Sequence, residues 1–137
     1  MKLRINGNSI RLRLGQSEVR RLAADGLIEE STAFGPLPKE HFRYSICNSS
    51  DCPDITASFT NHHLVIHVPF GMLQQWASTD QIGIHALQRT GTDELHILIE
   101  KDFECIDAPP GELQEDAFPH PQLIAACGPA QTIGRPA

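Results

Sequence analysis

Arginines recur at alternate positions of strand-like segments near the start of the chain. Arg11 and Arg13 alternate with Ile10, Leu12 and Leu14. Neighbouring side chains of a β-strand point to opposite faces, so the two arginines share one polar face. A guanidinium group donates paired hydrogen bonds to phosphate or carboxylate, which makes a small anionic ligand the first expectation. The candidate ligand-binding residues are Arg4, Arg11, Arg13, Arg43, Glu100 and Lys101.

Seven histidines raise the question of a metal site. His63 and His67 share a face of one strand, but they lie four residues apart, about 13 Å at 3.3 Å per residue. That separation is too long for both to bind one ion. A cross-strand pair of His67 with His85 or His96 is the alternative. The expectation is no metal site.

The cysteines lack a metal-binding or catalytic pattern. Cys47 and Cys52 have no CxxC partner, and two cysteines do not complete a four-ligand zinc site. They are expected to be free thiols, with a Cys47–Cys52 disulfide as the alternative. For Cys105, a buried and a reactive thiol are left open. No Gly-x-Ser-x-Gly motif is present and no cysteine has an evident histidine partner, so no catalytic residue and no cofactor are predicted.

The order of apolar and turn residues predicts strands and two short helices. Asn6-Gly7 favours a type I′ turn between strands at 2–5 and 8–14. A helix is predicted from a Ser17 cap to a stop at Gly26. Strands are predicted at about 27–34, 41–47, 55–60, 63–68, 81–88 and 94–101, and Pro69 opens a second helix.

A shift of 54 residues aligns the two halves of the chain without a gap. Seven apolar residues then coincide with apolar residues across a strand, a turn, a helix and the next strand. The prediction is therefore a duplicated ββαββ unit, with repeats at about 1–47 and 55–101. A C-terminal arm at 102–123 completes a single domain, 1–123, and residues 124–137 are expected to be a flexible tail.

Eight strands and two short helices predict an α+β fold, a mostly antiparallel eight-stranded barrel or wrapped sheet. Each strand has one apolar and one polar face. Two arrangements are open: the polar face meets solvent, as in most antiparallel sheets, or it lines the inside of a barrel as an anion-binding lumen.

Composition excludes several classes of protein. The net charge of −6 and pI of about 5.5 argue against nucleic-acid binding. No signal-peptide pattern and no run of about 18 apolar residues occurs, so the expectation is a cytoplasmic protein that does not contact a membrane.

Three stretches carry a resemblance: KLRINGNSIRLRLGQSEVRRLAADGLIEESTAFG, LHILIEKDFECID and EDAFPHP. Over about residues 1–121 the chain resembles a family of small bacterial proteins that share these signatures and have no assigned activity. This resemblance implies a bacterial, soluble, stand-alone domain. The duplicated unit is also similar to the triphosphate tunnel enzymes, which are eight-stranded barrels with a charged lumen. Their Glu-x-Glu-x-Lys strand is absent here, so this likeness implies a fold and not metal-dependent hydrolysis.

Three hypotheses for function follow. The first is a non-catalytic binding module whose polar face accepts a small anionic ligand or a partner protein. The second is an enzyme acting on a phosphorylated or carboxylated small molecule, with Glu100 as acid–base. The third is a structural homodimer in which the arm at 102–123 docks on a neighbour.

Overall fold

The computed structural model describes residues 1–103 and 116–119. Within them the chain forms a short 3-10 turn at Pro38–Glu40 and ten longer elements. In order these are β1 (Lys2–Asn6), β2 (Ser9–Leu14), α1 (Gln16–Asp25), β3 (Leu27–Ala33), β4 (His41–Ser49), β5 (Thr56–Thr60), β6 (His63–Pro69), α2 (Phe70–Ser78), β7 (Gly83–Thr90) and β8 (Asp93–Lys101). The α+β class and the predicted order of elements are confirmed.

The strands form two separate four-stranded sheets, and no closed barrel is formed by the described residues. The first sheet has the order β1-β2-β8-β7 and the second has the order β3-β4-β6-β5. Each sheet is mixed, because its two central strands, β2 with β8 and β4 with β6, pair in parallel. Four of the six strand pairings in the described residues are antiparallel, so the predicted fold is confirmed in part, but the closed barrel is not. The likeness to the tunnel enzymes stays a resemblance.

The helices explain why the strands divide in this way. α1 carries the chain from the first sheet to the second, and α2 carries it back. The two hairpins of one half therefore lie in different sheets, and each pairs with a hairpin from the other half. If the labels β1–β4 and β5–β8 are exchanged, the strand order of the first sheet becomes that of the second sheet read in reverse. Duplication of a ββαββ unit stays a prediction.

The tight turns of the hairpins differ in their backbone geometry. The first turn consists of Gly7 and Asn8, and only Gly7 has a positive φ, of 57°. A positive φ at the first loop residue alone is the pattern of a type II′ turn, so the type I′ prediction at Asn6-Gly7 is wrong. Between β5 and β6, Asn61 and His62 both have positive φ, as a type I′ turn requires.

The core lies between the apolar faces of the two sheets and under the helices. Alternate residues of the central strands are buried, while the polar residues between them face outward. Trp76 of α2 is fully buried, and its indole Nε1 donates to the Ile82 carbonyl at 3.0 Å. The polar faces therefore meet solvent, and the alternative of an inward-facing anion-binding lumen is wrong. Burial of apolar side chains on both sheets outweighs any gain from enclosing charge.

Helix α1 is capped by a residue that lies far away in the sequence. The helix begins one residue before the predicted Ser17 cap, and the carboxylate of Asp116 accepts from the Ser17 amide at 3.0 Å and from its hydroxyl at 2.7 Å. The Gln16 amide donates to the Asp116 backbone carbonyl at 2.7 Å. The two hydrogen bonds from Ser17 to the carboxylate lower the pKa of Asp116. The prediction that Ser17 caps the helix is therefore wrong: Ser17 is the residue that is capped.

Candidate functional site

The outer face of the first sheet carries a ladder of basic side chains. On the β1–β2 hairpin, Lys2 lies opposite Arg13 and Arg4 lies opposite Arg11. The Cβ atoms of directly opposed residues are about 4.5–5.5 Å apart, and like charges in such pairs are destabilising. With Arg89 of β7, five of the eleven lysines and arginines share this face of an acidic protein. We call Lys2, Arg4, Arg11 and Arg13 the basic ladder.

Glu100 of β8 forms ion pairs with both arginines of β2. Its Oε1 atom lies 2.8 Å from Nε of Arg11 and 2.9 Å from Nε of Arg13, and its side chain is only 15% exposed. Lys2 is paired with Asp102 at 2.9 Å. Among the described residues Arg4 has no ion pair and is exposed. The four cations of the basic ladder are therefore accompanied by two carboxylates, those of Glu100 and Asp102.

Arg43 lies on the other sheet, so the predicted site residues do not form one group. It is on the outer face of β4, with Nη1 3.8 Å from Glu29 Oε2. The sequence did not reveal this because the division into two sheets depends on the path of the helices. Arg4, Arg11, Arg13 and Glu100 are the predicted site residues that share the outer face of the first sheet.

Lys101 is buried among a backbone carbonyl and aromatic rings. Only 6% of the residue is exposed, and its Nζ donates to the Thr79 carbonyl at 2.6 Å, just past the end of α2. The ammonium also lies 5.9 Å from the centre of the Trp76 ring and 5.5 Å from that of Phe118. Burial lowers the pKa of Lys101, against the raising effect of Asp80. Carbonyl and aromatic groups stabilise a cation here, and the amine does not reach the basic ladder.

The outer face of the second sheet brings together polar residues that the sequence did not associate. The Oγ atom of Ser45 lies 2.8 Å from Nε2 of His63, and the same nitrogen lies 3.5 Å from Oε1 of Glu29. A serine nucleophile needs its base at one ring nitrogen and the orienting carboxylate at the other. Here both partners share one nitrogen, and Ser45 is 1% exposed. This cluster stabilises the sheet surface without the geometry of a catalytic triad.

Cys47 does have a histidine partner, contrary to the expectation from sequence. Its Sγ atom lies 3.4 Å from Nδ1 of His67, and Ser58 Oγ lies 3.4 Å from Nε2 of the same ring. Residues 47 and 67 are register partners on adjacent parallel strands, a pairing that no local pattern reveals. Burial, and then the nearby Cys52, raise the pKa of Cys47, which disfavours the nucleophilic thiolate. Both cysteines are free thiols, as expected.

Within residues 1–103 and 116–119, no group of three or more metal-ligating side chains comes together. The alternative pairs of His67 with His85 or His96 are wrong, because His67 lies on the second sheet and the other two on the first. Cys105 and the tail at 124–137 lie outside the described residues. No helix in the described part of the chain is long and apolar enough to cross a membrane.

The described part of the C-terminal arm contacts its own chain. Phe118 pairs with Phe103 in an isolated parallel bridge, their ring centres lie 5.8 Å apart, and the Phe118 amide donates to the Asp102 carbonyl at 2.7 Å. Together with the Asp116 cap, these contacts fasten residues 116–119 to β8 and α1. Exchange of the arm between two copies stays a prediction.

Comparison with known proteins places the chain in a family. No curated protein and no solved structure matches it. Residues 1–122 match the family described as "Family of unknown function (DUF7009)". Since this match covers most of the 137 residues, the chain belongs to the DUF7009 family, a family of unknown function.

Proposed function

We propose that this protein is a non-catalytic binding module whose basic ladder takes a phosphate- or carboxylate-bearing ligand. The observation that carries the proposal is the two like-charged cross-strand register pairs, Lys2 opposite Arg13 and Arg4 opposite Arg11. Like charges directly opposite each other are destabilising, and the carboxylates of Glu100 and Asp102 offset only part of the charge of these four cations. An external anion between them would relieve the repulsion and gain charge-assisted hydrogen bonds.

Glu100 supports this proposal by fixing the spacing of two guanidinium groups. Because Oε1 of Glu100 accepts a hydrogen bond from Nε of Arg13 and forms an ion pair with Nε of Arg11, the two guanidinium groups are held together before any ligand arrives. Pre-organised donors lose less conformational entropy on binding. Arg4, directly opposite Arg11, supplies a further cation for the same ligand.

A titration with inorganic pyrophosphate, and in parallel with citrate, tests the proposal. The expected result is saturable binding with NMR shifts at Arg4, Arg11 and Arg13, and a thermal shift. Ligand at 100 times its Kd stabilises by about 2.7 kcal/mol. The ratio of the two affinities distinguishes phosphate from carboxylate ligands.

The Arg4→Ala/Arg11→Ala variant should lose at least tenfold in affinity. The matched control is Arg20→Ala/Arg21→Ala, which removes the same charge from exposed positions of α1. Equal losses in both variants would mean that only net charge matters. That result, or an absence of saturable binding to both probes, overturns the proposal.

A further inference from the structure

A gap lies between the two sheets at the end of the core where the hairpin turns lie. The helices follow β2 and β6 at the opposite end of these strands. The gap is a cleft of about 410 Å³. Its floor is the buried pair Ile10 and Leu64, and its rim is Ile5 and Phe59, which are 60% and 59% exposed.

The walls of the cleft come from both sheets and are almost entirely apolar. Ile5, Ile10 and Leu95 belong to the first sheet, and Phe42 and Phe59 to the second. The Phe42 and Phe59 rings are tilted by 42° with centres 6.2 Å apart, so they form one aromatic wall. An apolar cleft of a few hundred Å³ has the size and lining of a small-molecule site.

The polar groups of the lining are largely engaged in other contacts. Both polar atoms of the Gln88 amide bond the backbone of Ala57, at 2.6 and 2.9 Å, and Ser58 Oγ lies 3.4 Å from His67. The lining holds no lysine, arginine, aspartate or glutamate. Ordered water needs two to four polar partners, so this cleft holds water poorly. Its chemistry suits an uncharged molecule with few polar atoms.

We infer that this cleft binds one neutral, apolar small molecule, with an aliphatic or aromatic body held between the Phe42–Phe59 wall and the aliphatic side chains of the first sheet. This site is independent of the basic ladder, which lies on the outer face of the first sheet and takes an anion. Binding here removes exposed apolar surface of Ile5 and Phe59 from water, which is favourable.

The uncharged fluorophore N-phenyl-1-naphthylamine tests the inference on the full chain. Its fluorescence should rise and saturate with one molecule per chain. Amide shifts should concentrate at residues 42, 57–59, 64 and 95. In the Ala57→Leu variant the added side chain grows into the cleft from an inward-facing position, and affinity should fall at least tenfold.

Two further variants serve as controls for misfolding and for non-specific dye binding. Phe59→Ala removes an exposed rim residue and should also weaken binding, without loss of cooperative unfolding. Leu87→Ser removes an equally exposed apolar residue from the outer face of β7 and should leave binding unchanged. Equal effects in Phe59→Ala and Leu87→Ser refute the site. A dimer in sedimentation that excludes the dye and separates on Phe59→Ala would assign the cleft to a second copy and overturn the inference.

Discussion

Removal of the Asp116 side chain should weaken helix α1, although Asp116 and Ser17 are 99 residues apart in sequence. In Asp116→Ala the Ser17 amide and hydroxyl lose their shared carboxylate acceptor. Loss of a helix cap costs about 0.5–2 kcal/mol, and loss of a negative charge at a helix N-terminus costs about 0.3–1 kcal/mol. Since Asp116 is exposed, screening places the total near 1–2 kcal/mol. Asp116→Asn keeps one acceptor oxygen and should cost about half as much.

The assay is urea unfolding at pH 7, with thermal unfolding beside it. A loss of 1–2 kcal/mol should lower the Tm by roughly 3–8 °C in a domain of this size. The control is Asp93→Ala, an exposed aspartate at the β7–β8 turn. If Asp116→Ala and Asp93→Ala unfold at the same urea concentration, the cap contributes nothing to stability and the reasoning is refuted.

The pH dependence of this difference has a defined sign. The pKa of Asp116 is lowered in the folded protein, so the unfolded chain binds the proton more tightly. The stability that Asp116 provides is therefore present above about pH 3.8, its ordinary pKa, and is lost as the pH falls through the folded value. The free-energy difference between wild type and Asp116→Asn should shrink in that range.

Gly15 gives a second route to the same contact. Its φ of −77° suits alanine, but an added Cβ would lie 2.7 Å from the Asp116 carbonyl oxygen. Gly15→Ala should therefore destabilise the protein by displacing residues 116–119. With Asp116→Ala the double variant should lose less than the sum of the two, because both act on one contact. Additive losses would contradict that expectation.

Further predictions concern three other residues: Lys101, Gln88 and His62. The free energy of unfolding of Lys101→Met should stay within about 1 kcal/mol of wild type, because removal of a buried charge offsets loss of the hydrogen bond to Thr79. Lys101→Ala should cost about 2–4 kcal/mol, because it leaves a cavity. Wild type should also gain stability as the pH rises from the lowered pKa of Lys101 towards 10.5, since the unfolded chain binds that proton more tightly, and Lys101→Met should lack this gain in unfolding experiments. Gln88→Ala removes both bonds to the Ala57 backbone, so it should cost about 1–2 kcal/mol and speed hydrogen exchange at the Ala57 amide; unchanged exchange contradicts this. His62→Gly should stabilise by roughly 0.5 kcal/mol in thermal unfolding because φ at this position is 61°, and a lower Tm would argue against strain there.

Only part of the candidate site was predictable from sequence. Strand alternation places Arg11 and Arg13 on one face, and it assigns Ile10, Leu12 and Leu14 to the core. It gives no partner for either arginine. Glu100 meets both because β2 and β8 pair in parallel in the register Arg13 with Glu100, a contact between opposite ends of the described chain.

Non-local pairing also explains the contacts that the sequence did not suggest. Cys47 and His67 are adjacent because β4 lies beside β6, and Asp116 reaches α1 only when the segment after β8 folds back. The local periodicity of the sequence predicts neither contact. Sequence favours Ser17 as the helix cap because a nearby hydroxyl is the usual capping group, but the carboxylate of Asp116 from a distant segment accepts from the Ser17 amide instead.

The sequence by itself determined the elements, their order and the chemical division of each strand into an apolar and a polar face. These follow from local periods of two and 3.6 residues and from turn residues such as Gly26, whose φ of 79° ends α1. The tertiary structure alone decided that the polar faces are outside, that the strands form two mixed sheets and that the basic residues divide between them. The physical reason is that each helix carries the chain to the opposite sheet, so partners are chosen by long-range packing of apolar faces.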